Sequence, residues 1–246
     1  MTPDHVAHNR RFWDADADAY QDAHADGLAR APLAWGAYRA PESELQVLGN
    51  VHGLDVLELG CGAAQWSVAL AGLGARAVGL DLSGAQLAHA RDASPTLPLV
   101  LANGERLPFA DARFDVVFCD HGALSFCEPA VIVPECARVL RSGGTLAFSA
   151  THPLLYLTWN EKEQRQTRKL CMPFDDLGRM EFGEGTIDWS LPASAWIRLL
   201  REHCFEIEDL FELCAPSGTT TTYEDFAPAK WARRWPAEWI WKARRH

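Results

Sequence analysis

With 246 residues, 48% of them hydrophobic, the chain has room for one large domain with a full core and needs no second one. Its 33 acidic against 23 basic residues and formal charge of -10 exclude nucleic acid as an expected partner, and Lys230, Arg233, Arg234, Lys242, Arg244 and Arg245 read as a solvated edge. Seven cysteines with neither a C-x-x-C pair nor a histidine at metal spacing indicate no disulfide framework and no metal, and no apolar stretch suits a leader or a bilayer, so a reduced, cytoplasmic protein is expected.

Asn9 to Arg30 carries Phe12, Trp13 and Tyr20 at roughly helical spacing among alanines and aspartates, and predicts a helix ahead of the core. Pro41 opens a second, short helix that Gly49 closes. Asp55 to Trp66, DVLELGCGAAQW, then reads as a buried strand, a glycine turn and the start of a helix. Gly60 and Gly62 have access to backbone angles closed to other residues, so a ligand can press against the turn where the helix offers free N–H groups. Gln65 stands where a dinucleotide fingerprint needs a small residue, which weakens an NAD reading. Glu58, an acid inside the strand, instead suits a ligand bearing an ammonium and a sulfonium.

Arg76 to Leu80 predicts a second strand, ending at Asp81, where a carboxylate can accept both ribose hydroxyls of an adenosine. Ser83 is free to cap the next helix, which carries Gln86, Leu87 and Ala90. Pro98 to Ala102 is the third strand, followed by the turn Asn103-Gly104-Glu105, with Leu82 and Leu107 as apolar walls for a ring. Phe114 to Cys119 is the fourth strand and runs out at Asp120-His121-Gly122. Pro129 to Arg141 is helical with a break at Pro134, and TLAFSA is the fifth strand, ending at Thr151-His152-Pro153. The forty residues that follow hold Trp159, Met172, Phe174, Met180, Phe182 and Trp189 and read as an antiparallel flap forming a wall of a substrate pocket. Pro192 to His203 is an amphipathic helix; Phe205 to Leu213 and Glu238 to Ala243 are strands joined without a helix, hence an antiparallel hairpin.

The motifs ELGCG and ECARVLRSGGTLAF, the latter with Ser142 where proline is common, resemble those of the class I S-adenosylmethionine-dependent methyltransferases, in particular the type 11, bacterial small-molecule group. The resemblance is close over Asp55 to Phe148 and holds elsewhere in outline. It implies one α/β domain over 1–246 with a Rossmann-like seven-stranded sheet in the order 3-2-1-4-5-7-6, the last strand antiparallel. A helical cover at 1–50 and a lid at 151–191 complete it. The implied cofactor is S-adenosylmethionine, held by Tyr20, Trp35, Glu58, Gly60, Cys61, Gly62, Asp81, Leu82, Gln86, Asn103, Gly104, Glu105, Asp120 and His121. Tyr20 and Trp35 either cover the cofactor or plug the domain's edge, and Glu105 either joins the site or caps locally. Asn103 stands where the family has an acid for the adenine amino group; its oxygen can accept from an amine and its NH2 can donate to a ring nitrogen. The implied reaction moves a methyl group to an O, N or C atom of a small molecule, in a monomer or homodimer. His121 and His152 are the candidate bases, with His152 the better supported because Pro153 restrains its backbone. An NAD-dependent oxidoreductase and a non-catalytic S-adenosylmethionine-binding protein are the alternatives.

Overall fold

The computed structural model describes residues 4–246 apart from 182, 184, 224 and 225, so the expected lid residue Phe182 lies outside the described residues. The elements run α1 (Asp4–Arg30), α2 (Glu42–Leu45), β1 (Asp55–Leu59), α3 (Gln65–Gly72), β2 (Arg76–Asp81), α4 (Gly84–Ala93), β3 (Leu99–Leu101), β4 (Phe114–Asp120), α5 (Ala123–Phe126), α6 (Pro129–Val139), β5 (Leu140–Thr151), α7 (Pro153–Leu157), α8 (Ala193–Glu202), β6 (Phe205–Leu213), α9 (Ala229–Ala232) and β7 (Glu238–Arg245). The main strands form one sheet in the order β3-β2-β1-β4-β5-β7-β6. β1 to β5 are parallel, and β7 runs antiparallel to both its neighbours. This is the arrangement expected from the motifs.

Residue alternation along the central strands builds two cores, one on each face of the sheet. Leu57, Leu59, Val117, Cys119, Leu146, Phe148, Trp239 and Trp241 pack with Trp196 and Leu200 of α8. Their neighbours Val56, Val116, Phe118, Ala147 and Ile240 face the other way and meet Trp35, Trp66 and Leu70. Each such large apolar side chain contributes about 1.5–3 kcal/mol on leaving water, so strand register is strongly specified. Glu58, on the second face of β1 and 4% exposed, is one of the polar residues buried there, with Ser149 of β5 and Glu238 of β7.

Local expectations change at several points. α6 runs unbroken through Pro134, its sixth of eleven residues, which lacks an N–H and so forfeits one helical hydrogen bond. The β6–β7 connection contains the single-turn α9, and β7 extends to Arg245 because Phe205 and Glu206 pair with Arg245 and Arg244. α1 begins at Asp4, five residues earlier than expected, because its first turns are tied down: His5 Nε2 lies 2.6 Å from Glu105 Oε1, and Asn9 bonds to residue 187.

The insertion after β5 contains α7, a 3-10 turn at Phe174–Asp176 and two antiparallel pairs, Trp159–Asn160 with Arg165–Gln166 and Arg179–Glu181 with Ile187–Trp189. No described helix is long and apolar enough to cross a membrane.

Candidate cofactor cleft and its acceptor end

The carboxyl ends of β1, β2 and β4 open onto a cavity of about 430 Å³, roofed by α1 and closed on one side by Thr151, Thr186, Asp188 and Phe226. Its floor is the glycine turn. Gly60 and Cys61 donate their N–H groups to Leu80 O at 2.7 and 3.0 Å, which straps the turn to β2. A Cβ on Gly60, whose φ is +73°, would stand 2.5 Å from Ala123 N and 2.7 Å from Gly122 Cα. Glycine at 60 is therefore demanded by the close approach of the loop after β4. At Gly62, with φ +53°, a Cβ would meet nothing nearer than Gln86 Oε1 at 3.7 Å, so this part of the cradle is open.

Glu58 lies beneath the turn and serves α3 as a cap from below. Its Oε2 accepts from Ser67 N at 3.0 Å and from Ser67 Oγ at 2.6 Å, while Ala64, the residue before the helix, offers no side-chain cap. Burial, with smaller contributions from the charges of Asp120 and Asp81, pushes the Glu58 carboxyl up to about 8 against the opposing Ser67 bonds. Asp81 Oδ2 accepts from Gly62 N and Oδ1 from Ser83 N, both at 2.8 Å. Burial raises its pKa despite those backbone bonds. Ser83 caps α4 by accepting from Gln86 N, and Gln86 Oε1 accepts from Gln21 Nε2 of α1 at 2.8 Å, which seats the cover on the cleft.

At the end of β4, Asp120 Oδ1 accepts from Gly36 N and Ser149 Oγ at 2.9 and 2.6 Å, and Oδ2 from Trp66 Nε1 at 3.1 Å. His121 follows with φ +50°, its N–H donated to Ser149 Oγ. Its Nε2 lies 2.7 Å from Oε1 of Glu238, which is 1% exposed. Burial disfavours the charged ring, but the Glu238 bond and the charges of Glu238, Asp120 and Asp188 outweigh it and raise the pKa above the ordinary histidine value.

The cavity gathers most of the expected site: Tyr20, Glu58, Gly60, Cys61, Gly62, Asp81, Leu82, Gln86, Asn103, Gly104, Asp120 and His121 all line it. Four expectations are corrected. Trp35 is fully buried in the second core, its indole N–H donated to Glu42 Oε2 at 2.7 Å; it plugs the domain's edge. Glu105 bonds His5 and accepts from Glu128 N at 2.7 Å, bracing α1 against the start of α6. Leu107 belongs to the first core and is no wall of the cleft. His152, the better supported base on sequence, stays out of the cavity lining: Nδ1 accepts from Leu154 N to cap α7, Nε2 lies 3.1 Å from Glu212 Oε1, and the ring edge packs on Trp239. Pro153 does restrain it, but in a direction that turns the ring away from the cleft.

Asn103 Oδ1 is taken by Glu105 N at 3.0 Å in a local turn, which leaves its NH2 as the group able to address a ring nitrogen. Sequence reasoning missed Asn9, Gln21, Arg39, Asp188, Tyr223, Phe226 and Glu238. Asp188 alone had a signal, an acid set between the apolar residues of an edge strand, Ile187 and Trp189.

Fold and cleft together define first a Rossmann-like cofactor-binding domain with its ligand site at the switch point between β1 and β4. Residues 57–148 match the family model described as a methyltransferase domain. The chain is 32% identical over 144 residues to a ubiquinone biosynthesis O-methyltransferase of Thiobacillus denitrificans, a match covering 56% of this chain and 57% of the relative. It is 36% identical over 106 residues to a malonyl-[acyl-carrier protein] O-methyltransferase of Hamiltonella defensa, covering 43% and 41%. The matches thus span about half the length of these curated relatives. In fold, it is similar to an S-adenosylmethionine-dependent methyltransferase from Mesorhizobium loti, with a TM-score of 0.69 at 24% identity over 89% of this chain and 99% of that one. Residues 57–148 thus match a methyltransferase domain, and the chain shares the fold of the S-adenosylmethionine-dependent methyltransferase it resembles.

Proposed function

We propose that the protein binds S-adenosylmethionine in this cleft and transfers its methyl group to a small molecule, with residues 1–246 acting as one domain, cover and lid included. The observation that carries this reading is Asp81. Its two oxygens are oriented by Gly62 N and Ser83 N at the mouth of an open turn, and each retains a lone pair for a neighbouring ribose hydroxyl. Asp120 supplies negative potential beneath the part of the cleft that would hold the cationic end of the cofactor, Glu58 adds to it on losing its proton, and the Asn103 NH2 suits an adenine ring nitrogen. The bound cofactor supplies an activated methyl on a sulfonium. The chain's own contribution is to orient the acceptor, exclude water and, for a hydroxyl or acidic carbon, receive a proton.

His121 is the residue suited to the last task. With Nε2–H donated to Glu238, its Nδ1 makes no hydrogen bond to any described residue and is the acceptor atom of the neutral ring. A cytoplasmic, small-molecule enzyme, monomeric or dimeric, fits the acidic surface charge. An oxidoreductase reading lacks support, because Gln65 replaces the small third residue of a dinucleotide fingerprint.

Calorimetric titration of the wild-type chain and Asp81→Ala with S-adenosylhomocysteine tests the reading. Bonds to a charged group contribute about 1.5–3 kcal/mol, so the variant is expected to bind roughly 10 to 150 times more weakly. Equal affinities, or a wild-type chain that takes NAD in preference, would refute it.

A further inference from the structure

Asp188 sits on the lid strand Ile187–Trp189 and lines the cavity on the same side as His121. The strand's position is set by Asn9 of α1, 1% exposed, which treats it as a ladder partner. Asn9 Oδ1 accepts from Ile187 N and its Nδ2 donates to Ile187 O, both at 2.8 Å, with a further bond to Phe126 O at 3.2 Å. The chain thus invests a buried amide in holding the backbone next to one acid.

That acid is incompletely satisfied. Oδ2 has the Tyr156 hydroxyl at 3.5 Å and the Thr186 side chain also supports the carboxyl, whereas Oδ1 is cut off from solvent and makes no well-formed hydrogen bond to a described residue. A buried carboxylate so sparsely bonded costs about 1–3 kcal/mol or more, and a ligand's O–H or N–H reaching the side of Asp188 that lines the cavity would offset it. Its surroundings say which ligand. Three acids, Asp188, Asp120 and Glu238, face two cations at this end: His121 pairs with Glu238, and Arg39, 3.9 Å from Asp120, keeps its Nε–H without a partner among the described residues, so a carboxylate or phosphate would meet a net negative surrounding. The neighbouring apolar wall is aromatic: Phe226 stands edge-on to His121 at 5.7 Å, and the Tyr223 and Tyr20 hydroxyls meet at 2.8 Å. Flat rings pack against such walls.

The geometry points to Asp188 as the residue that receives a hydrogen-bond donor of the methyl acceptor, and to an acceptor that is an uncharged aromatic hydroxyl or N–H compound with no acidic group at that end. This rests on the methyl-transfer reading. The test uses the full chain saturated with S-adenosylhomocysteine and three probes followed by ligand-observed NMR: catechol, 1,2-dimethoxybenzene, which has the same frame without a donor, and benzoate. Catechol is expected to bind about tenfold or more tightly than either of the others. Asp188→Asn, which keeps the shape, and Asp188→Ala are expected to weaken catechol by about tenfold and to narrow the discrimination against benzoate. Both are expected to leave S-adenosylhomocysteine affinity in calorimetry within about twofold of wild type. Absence of catechol binding, equal binding of benzoate or dimethoxybenzene, or a catechol affinity unchanged in Asp188→Asn would overturn the assignment while leaving the cofactor reading intact. A wild-type chain that does not take S-adenosylhomocysteine would overturn both.

Discussion

His121 Nε2 and Glu238 Oε1, 117 positions apart in sequence, meet at 2.7 Å and tie the end of β4 to the start of β7 across the intervening β5. Glu238 Oε1 also accepts from Ala37 N at 2.6 Å, so the pair anchors the segment that follows α1 as well. A ring that is 27% exposed toward the cavity is thereby held against a carboxylate that is 1% exposed.

This pairing raises the His121 pKa, and the consequence for stability has a defined sign. A histidine whose pKa is higher folded than unfolded contributes stability that is complete below the unfolded value, near 6.5, and lost as pH rises through the folded value. Glu238→Gln removes the charge responsible. A two-dimensional NMR titration should find His121 above the ordinary histidine range in the wild type and lower in the variant. Identical titration midpoints would refute the pairing.

The two histidines should separate kinetically. If His121 receives the acceptor's proton, His121→Gln should reduce kcat by roughly 100- to 10,000-fold with little change in cofactor affinity. His152→Ala should leave turnover within about tenfold and cost about 1 kcal/mol of stability, because it removes the cap of α7. Losses below about tenfold in both would mean transfer by positioning alone, as for an acceptor that arrives with a free lone pair.

The two glycines of the turn should fail in different ways. Gly60→Ala forces a Cβ into the Gly122–Ala123 backbone and should lower stability by about 1–3 kcal/mol or prevent folding. Gly62→Ala has room for its Cβ and pays chiefly the left-handed backbone cost of about 1–2 kcal/mol. Thermal unfolding that ranks Gly62→Ala as the more damaging of the two would contradict the geometry.

Glu58 should make the apoprotein less stable as pH rises. Its carboxyl is raised to about 8 by burial, so between the ordinary carboxylate value and about 8 the folded state binds more protons than the unfolded one. Stability is then lost progressively across that window, by an amount on the order of a few kcal/mol. Glu58→Gln should flatten this dependence in denaturant titrations at pH 5, 6.5 and 8. Binding of the cationic cofactor should release protons from Glu58, read as a buffer-dependent heat in calorimetry.

By itself the chain's local pattern marked the strands and the turns at their carboxyl ends, while the resemblance of its motifs supplied the strand order. Alternating apolar runs, the glycine turn and Asp81 at a strand end lie close together in sequence, and their consequences follow from backbone geometry alone. Local signals likewise identified Ser83 as a cap and Phe205–Leu213 as a strand. The acceptor end was decided only by tertiary structure, because its parts come from α1, β4, the lid and β7, and no spacing rule relates Asn9 to Ile187 or His121 to Glu238. The reassignment of His152 has the same cause. A proline fixes a backbone angle locally, but which way the ring then faces depends on where Trp239 and Glu212 of the antiparallel hairpin come to rest. Gly60 shows the reverse case, a glycine singled out for its turn whose steric need, the approach of Gly122 and Ala123, exists only once β4 lies beside β1.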